Sequence, residues 1–322
     1  MFKYFYKYIL KPIFFKFDPE MVHDHMTKIG KLLGKSSLTK KIVSIFWSYS
    51  HPSLEQNILG INFKNPIGLS AGFDKNAELI DILPSVGFGF AEVGSITGEP
   101  CLGNPRPRLW RLKKSKSLAV YYGLKNDGAE TISKRLQNKK FKIPIGISIA
   151  KTNCKETCDT NVAILDYFKA YKAFTNIGDY YTINISCPNA YGGQPFTDSK
   201  KLEALFNKIF SIPKTKPIFL KVSPDLSKEE INEIIETANK FQIDGFICTN
   251  LTKNRENKNI IDKNVPTLGG LSGKVVDNMS DDLIRYIYKK TNGRFVIIGS
   301  GGVFSAEDAY RKIKAGASLV QL

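Results

Sequence analysis

Histidine, arginine and paired cysteine are all scarce in this 322-residue chain. The three histidines, His23, His25 and His51, precede the strand-rich part of the sequence, so an acid or base further along must be another residue type. Five cysteines (Cys101, Cys154, Cys158, Cys187 and Cys248) form an odd set without a CxxC pair, which points to a reducing compartment rather than a disulfide framework. Cys154 and Cys158 lie four apart in a polar stretch with no histidine nearby, and they read as loop thiols rather than a metal site. Arginine numbers 8 against 39 lysines. Base and phosphate readout leans on bidentate arginine, so the net charge of +17 fits a solvated lysine surface or anionic lipid better than nucleic acid. No apolar run reaches the roughly 18 uncharged residues that would span a bilayer.

What is present is a regular alternation. From about residue 66, short β-rich runs alternate with longer amphipathic stretches, the pattern of a parallel sheet wrapped by helices. Eight such runs can be counted, at residues 66–70, 90–95, 144–150, 180–185, 217–222, 244–249, 295–299 and 317–322. Helices are expected between them, as at 161–175, 227–241 and 305–315, each opening on a plausible cap residue. Eight strands predict a closed (β/α)8 barrel, whose active site is assembled at the strands' C-terminal face. The sequence stops on the eighth strand. A C-terminally incomplete barrel, with its closing helix missing, is therefore expected to be a fragment of a longer functional protein.

Residues 1–50 read as a separate helical segment ahead of a barrel over 51–322. Eight aromatic residues fall between Phe2 and Phe17, and Lys3, Lys7 and Lys11 would line one face of a helix ending before Pro12. Such a segment can lie in a membrane surface, with rings in the interface and lysines toward the headgroups. Asp18 reads as an N-cap followed by Pro19 at the first helical position, with an apolar stripe through Val22, Met26, Ile29 and Leu33 up to Gly34. A third amphipathic stretch covers 42–49. The bland alternative is a helical cap packed on the barrel.

The strand ends carry the chemistry. The first is followed by Ala71-Gly72-Phe73-Asp74-Lys75-Asn76, where small residues let a planar ligand approach the backbone and Lys75 offers a cation. The fourth is followed by Asn184-Ile185-Ser186-Cys187-Pro188-Asn189, whose thiol is either a base or nucleophile or a packing cysteine. Lys221 interrupts the apolar fifth strand, an expensive position unless it faces an anionic or electron-rich ligand. The sixth strand ends in Thr249-Asn250. The seventh ends in Gly299-Ser300-Gly301-Gly302, whose amides can hold a phosphate ahead of a helix.

These segments, together with Gly103-Asn104-Pro105-Arg106-Pro107-Arg108 and Gly269-Gly270-Leu271-Ser272-Gly273, resemble the dihydroorotate dehydrogenases in family order over nearly the whole chain. The resemblance implies FMN across the strand ends, held by Ala71, Gly72, Lys75, Ser95, Ser148, Asn184, Lys221, Thr249, Ser272, Gly273, Gly301 and Gly302. Ser148 stands where the family usually has Asn. The resemblance further implies that Cys187 takes a proton from C5 of dihydroorotate while hydride leaves C6 for the flavin, giving orotate. Lys221 then stabilises the reduced flavin, and Lys75, Gly123, Asn184, Asn189 and Asn250 bind the substrate.

Two features bear on the branch. The membrane-associated branch passes electrons to quinone, carries an N-terminal helical pair and usually has Ser as base, whereas soluble branches use Cys. The helical extension, Asp18-Pro19-Glu20 with His23, and Arg111 within Leu109-Trp110-Arg111-Leu112, resemble the quinone site of the membrane branch. One substitution changes a base; it does not add a helical domain. A quinone-reducing enzyme of pyrimidine synthesis, peripheral on the cytoplasmic side of the cell membrane, is the first expectation. The alternatives are a soluble-type FMN dehydrogenase using fumarate or NAD or acting on a related ring, a non-redox phosphate-binding barrel, and an inactive membrane-bound module. Val120 and Leu251 replace a family Asn and Thr, predicting weakened substrate contacts of about 1–3 kcal/mol each.

Overall fold

All eight apolar runs become parallel strands of one closed barrel. The computed structural model describes residues 2–322, with side chains from Tyr4 onward; Lys3, expected on the first helix face, has its side chain outside the described residues. In chain order the strands are β1 (Gln56–Ile58), β2 (Ile61–Phe63), β3 (Ile67–Leu69), β4 (Phe90–Ile96), β5 (Leu109–Leu112), β6 (Ser117–Val120), β7 (Ile145–Ile149), β8 (Tyr180–Asn184), β9 (Ile218–Val222), β10 (Gly245–Cys248), β11 (Gly270–Gly273), β12 (Val296–Ser300) and β13 (Leu319–Gln321). The barrel closes in the order β3-β4-β7-β8-β9-β10-β12-β13, with β13 returning to β3 through Val320 opposite Ile67.

Two small sheets were not legible as strands. β1 and β2 form an antiparallel hairpin beside the barrel floor, and β5, β6 and β11 form a three-stranded sheet. Each strand is only three or four residues long, too short to display a period of two.

The helices are α1 (Phe2–Phe5), α2 (Lys11–Phe14), α3 (Pro19–Lys35), α4 (Ser37–Trp47), α5 (Ala129–Leu136), α6 (Thr160–Ala173), α7 (Ser199–Ile209), α8 (Lys228–Lys240), α9 (Asp277–Lys290) and α10 (Ala306–Ala315). Ser227 caps α8 through a reciprocal capping box with Glu230, and Ser305 caps α10. The cap of α6 is Asp159, two residues before the expected start, because its carboxylate accepts from the N–H groups of Asn161 and Val162.

The first helix does not end before Pro12. Tyr6–Leu10 winds as a π-helix between α1 and α2, and the Lys11 N–H donates five residues back to the Tyr6 carbonyl. The wider turn accommodates a proline ring that would strike a carbonyl in regular α winding, so the helix runs on to Phe14. Asp18 caps α3 as expected, accepting from the Met21 N–H at 2.9 Å, with Pro19 opening the helix. α4 begins five residues earlier than the amphipathic stripe at 42–49.

A buried ion pair fastens α3 to the barrel. Glu20 is 3% exposed and accepts from Arg108 Nη2 at 2.7 Å, Arg108 Nε at 3.0 Å and Arg106 Nη2 at 3.0 Å. Burial alone would raise its pKa, but the two guanidiniums outweigh that and hold it at about 2. Losing either partner would strand a buried charge, which costs about 3–5 kcal/mol.

Candidate active site

Strand ends and N-terminal helices share one cavity. It measures about 770 Å³, within the range of roughly 300–1,000 Å³ typical of small-molecule sites. At its inner end lie Ala71, Gly72, Lys75, Ser95, Gly123, Asn184, Cys187, Asn189, Lys221, Thr249, Asn250, Ser272, Gly273, Gly301 and Gly302. At the other end Tyr6, Phe14, Phe15, Pro19, Val22, His23 and Met26 form a largely apolar wall with Leu109, Arg111 and Leu118.

Backbone geometry explains the small residues. Gly72 has φ +106°, and a Cβ there would meet nothing within 4 Å, so any side chain would project into open space at the cavity wall. Gly302 has φ +75° and packs so closely on α9 that a Cβ would sit 2.4 Å from that of Asp277. Both positions demand glycine, one for room and the other for packing.

The polar groups are held in a connected set. Asn184 Nδ2 donates to Ser95 Oγ at 2.8 Å, and its Oδ1 accepts from Asn250 Nδ2 at 3.2 Å and from Ser186 Oγ at 3.1 Å. Asn189 Nδ2 donates to the Val120 carbonyl at 2.8 Å, while its buried Oδ1 has no protein partner among the described residues. Val120 and Leu251, the two departures from the family pattern, both line the cavity. Ser148 does not reach it. That residue is fully buried behind the wall and exchanges a 2.8 Å hydrogen bond with Ser95, so its effect on a ligand passes through Ser95.

Charge is concentrated at the inner end. Lys221 is 5% exposed and its ammonium donates to no protein acceptor among the described residues. Burial lowers its pKa, opposed by the carboxylate of Glu92. Burial likewise brings Lys75 down to about 8, and its Nζ lies 4.1 Å from the centroid of the Tyr122 ring. Burial raises the Cys187 thiol, opposed by the Asn189 N–H and by Lys151 and Lys221.

The apolar end has its own polar markers. His23 Nε2 donates to the Phe73 carbonyl at 2.9 Å, and burial followed by Lys75 lowers its pKa, opposed by the Phe73 carbonyl and Asp24. Arg111 donates through Nη1 to the Phe17 carbonyl at 2.8 Å, with its guanidinium 4.7 Å from the centre of the Phe15 ring.

Sequence reasoning missed Glu92 and Gln321. Glu92 sits fully buried in β4, accepting from Thr182 Oγ1 at 2.9 Å and Gln321 Nε2 at 3.2 Å. Burial raises its pKa, and Lys221 is the foremost opposing influence. The signal was available: an acid at the centre of Phe90-Ala91-Glu92-Val93, otherwise apolar, needs a buried partner.

Comparison with known proteins agrees with this geometry. The residue pattern of the family described as dihydroorotate dehydrogenase matches residues 53–322. A Christiangramia forsetii protein named dihydroorotate dehydrogenase (quinone) is 39% identical, over 98% of this chain and 93% of its own. A protein of the same name from Trichodesmium erythraeum is 36% identical, over 98% and 88%. Two crystal structures of the DHODH of Eimeria tenella, one with ferulenol and one ligand-free, superpose with TM-scores of 0.81 and 0.82 at 32% identity. They cover 95% of this chain and 85% and 89% of theirs. The chain thus belongs to the dihydroorotate dehydrogenase family.

Proposed function

We propose that this protein oxidises dihydroorotate to orotate in pyrimidine (UMP) biosynthesis, using FMN at the strand ends and quinone as electron acceptor. The observation that carries the reading is the continuity of the cavity: one volume joins Cys187, Lys221 and the Gly301–Gly302 turn to the aromatic wall of residues 6–26. A soluble-type enzyme has no need of such a wall.

The donor set fits FMN. Lys221 offers a buried ammonium with open donors, Gly72 leaves room against the backbone, and Gly301 and Gly302 end β12 where a phosphate can rest. Ala71, Ser95, Thr249, Ser272 and Gly273 complete the set, with Ser148 acting behind Ser95. When bound, the flavin supplies a two-electron acceptor that takes hydride and passes electrons on to quinone.

The chain's own residues do the rest. Lys75, Gly123, Asn184, Asn189 and Asn250 orient the substrate ring, whose amide and carboxylate groups match paired donors and acceptors. Cys187 Sγ takes the C5 proton. Lys221 offsets negative charge beside it, and His23 and Arg111 flank the quinone.

Residues 1–50 act as the quinone-access and membrane-associated unit, and 51–322 as the FMN barrel. Exposed Tyr4, Phe5, Tyr8, Ile9, Ile13 and Phe17 from the first segment, with Leu38, Ile42 and Ile45 from α4, support an interfacial contact. No helix among the described residues is long and apolar enough to cross a membrane. The contact proposed for this segment is peripheral, on the cytoplasmic side of the cell membrane. The acceptor assignment is tested by steady-state turnover of purified protein. Dihydroorotate oxidation is expected with a soluble ubiquinone analogue and not with fumarate or NAD; the reverse preference would place the chain with the soluble enzymes.

A further inference from the structure

Behind the active site lies a second, much smaller cavity. Its volume of about 10 Å³ is close to the minimum that holds one water molecule. Cys187 lies in its wall, and so do Lys151, Tyr167 and Ala190. The topology brings the first two together. Lys151 follows β7 by two residues and Cys187 follows β8 by three, and β7 and β8 are hydrogen-bonded neighbours with Ile149 opposite Ile183.

Lys151 is an unusual cation. It is 3% exposed and donates only to neutral oxygens, the Tyr191 carbonyl at 2.6 Å and Thr157 Oγ1 at 3.4 Å. No carboxylate lies within 4 Å of its ammonium among the described residues. The carboxylate that acts on it electrostatically, Asp166, does so less than the thiols of Cys158, Cys154 and Cys187, and is engaged by the N–H and hydroxyl of Thr152. A buried ammonium without a counter-ion is costly, and so is a thiolate as withdrawn from solvent as the half-buried Cys187. Each lacks what the other supplies.

We propose that Lys151 is the counter-charge that stabilises the Cys187 thiolate, a positioning residue that acts through the thiol and not on the substrate. The inference rests on the reading of Cys187 as the base. The other groups around the thiol are Lys221, which also favours the thiolate, Cys101, which disfavours it, and the Asn189 N–H, which favours it. Around Lys151 they are Cys154, Cys158, Cys187 and Asp166, all favouring the ammonium. Removing a cation from beside an acid raises that acid's pKa, so the base form of Cys187 appears at higher pH without Lys151.

The test compares wild type, Lys151→Met and Lys151→Arg, each loaded with flavin. Two profiles are measured against pH: the rate of flavin reduction by dihydroorotate, and the rate of Cys187 alkylation by iodoacetamide, followed by mass spectrometry at that residue. Alkylation tracks thiolate fraction. With Met, both midpoints should move up by about one unit or more, slowing each process about tenfold below the midpoint and little above it. Arg should restore the wild-type midpoints. Where Met prevents flavin loading, Lys151→Gln, which keeps a donor for the Tyr191 carbonyl, gives the same comparison.

Equal loss of rate at every pH, with unmoved midpoints, would overturn the proposal and leave Lys151 as a loop anchor. An alkylation midpoint that moves while the kinetic one stays put supports the coupling. That second outcome overturns instead the assignment of Cys187 as base.

Discussion

Replacing Cys187 by alanine is expected to slow flavin reduction by dihydroorotate about 10²–10⁴-fold, the scale of a general base, while leaving flavin bound. The side chain reaches the cavity beside Asn184 and Asn189, and no histidine follows His51 in the chain. Flavin contacts assigned to Lys221, Ser95 and the Gly301–Gly302 turn are untouched by the change. Anaerobic stopped-flow at the visible flavin band measures it directly. Because burial raises the Cys187 thiol, the wild-type rate should still be climbing above about pH 8.5, the ordinary cysteine value, and the alanine variant should lose that climb. An unchanged reduction rate in the variant would remove Cys187 from the mechanism.

Removing residues 1–16 is expected to lower quinone reduction more than a hundredfold while reduction of flavin by dihydroorotate stays within a few-fold of wild type. Tyr6, Phe14 and Phe15 supply part of the apolar cavity wall. Ring contacts worth about 1.5–3 kcal/mol apiece add up to several decades of affinity for an apolar ligand. The cut is placed with care. A deletion reaching residue 34 would also take Glu20 and strand Arg108, which is 5% exposed and paired to it, so lost activity would then report unfolding. Ending at residue 16 keeps the Phe17 carbonyl that holds Arg111 and the Asp18 cap of α3. Quinone turnover equal to wild type after the cut would show that the acceptor reaches the flavin by another route.

The barrel was legible because its strands are fully buried and therefore read as apolar runs of β-branched residues, as in Ile145–Ile149 and Ile218–Val222. Turn chemistry marked the residues of the cavity just as well. Glycines needing positive φ at 72, 273, 301 and 302 and carboxamides at 184, 189 and 250 all fall on one cavity. What escaped was of two kinds. The short strands of β5, β6 and β11 carry no periodic signal, although they wall the cavity through Arg111, Leu118 and Ser272. Long-range partners also escaped: Glu92 meets Gln321 across 229 residues, and Glu20 meets Arg108 across 88. The run of Lys7 and Lys11 toward Pro12 misled for a different reason, since a π-helix absorbs the proline that sequence rules take as a terminator.

The proposed function turns on electron transfer from dihydroorotate to flavin held at this barrel mouth. Its most direct test is an anaerobic titration of the purified, FMN-loaded protein with dihydroorotate, followed by visible absorbance and product analysis. Bleaching of the flavin band with one orotate formed per flavin, and return of the colour on adding a quinone, is the predicted result. A flavin that stays oxidised in excess dihydroorotate, with no orotate produced, would contradict the account.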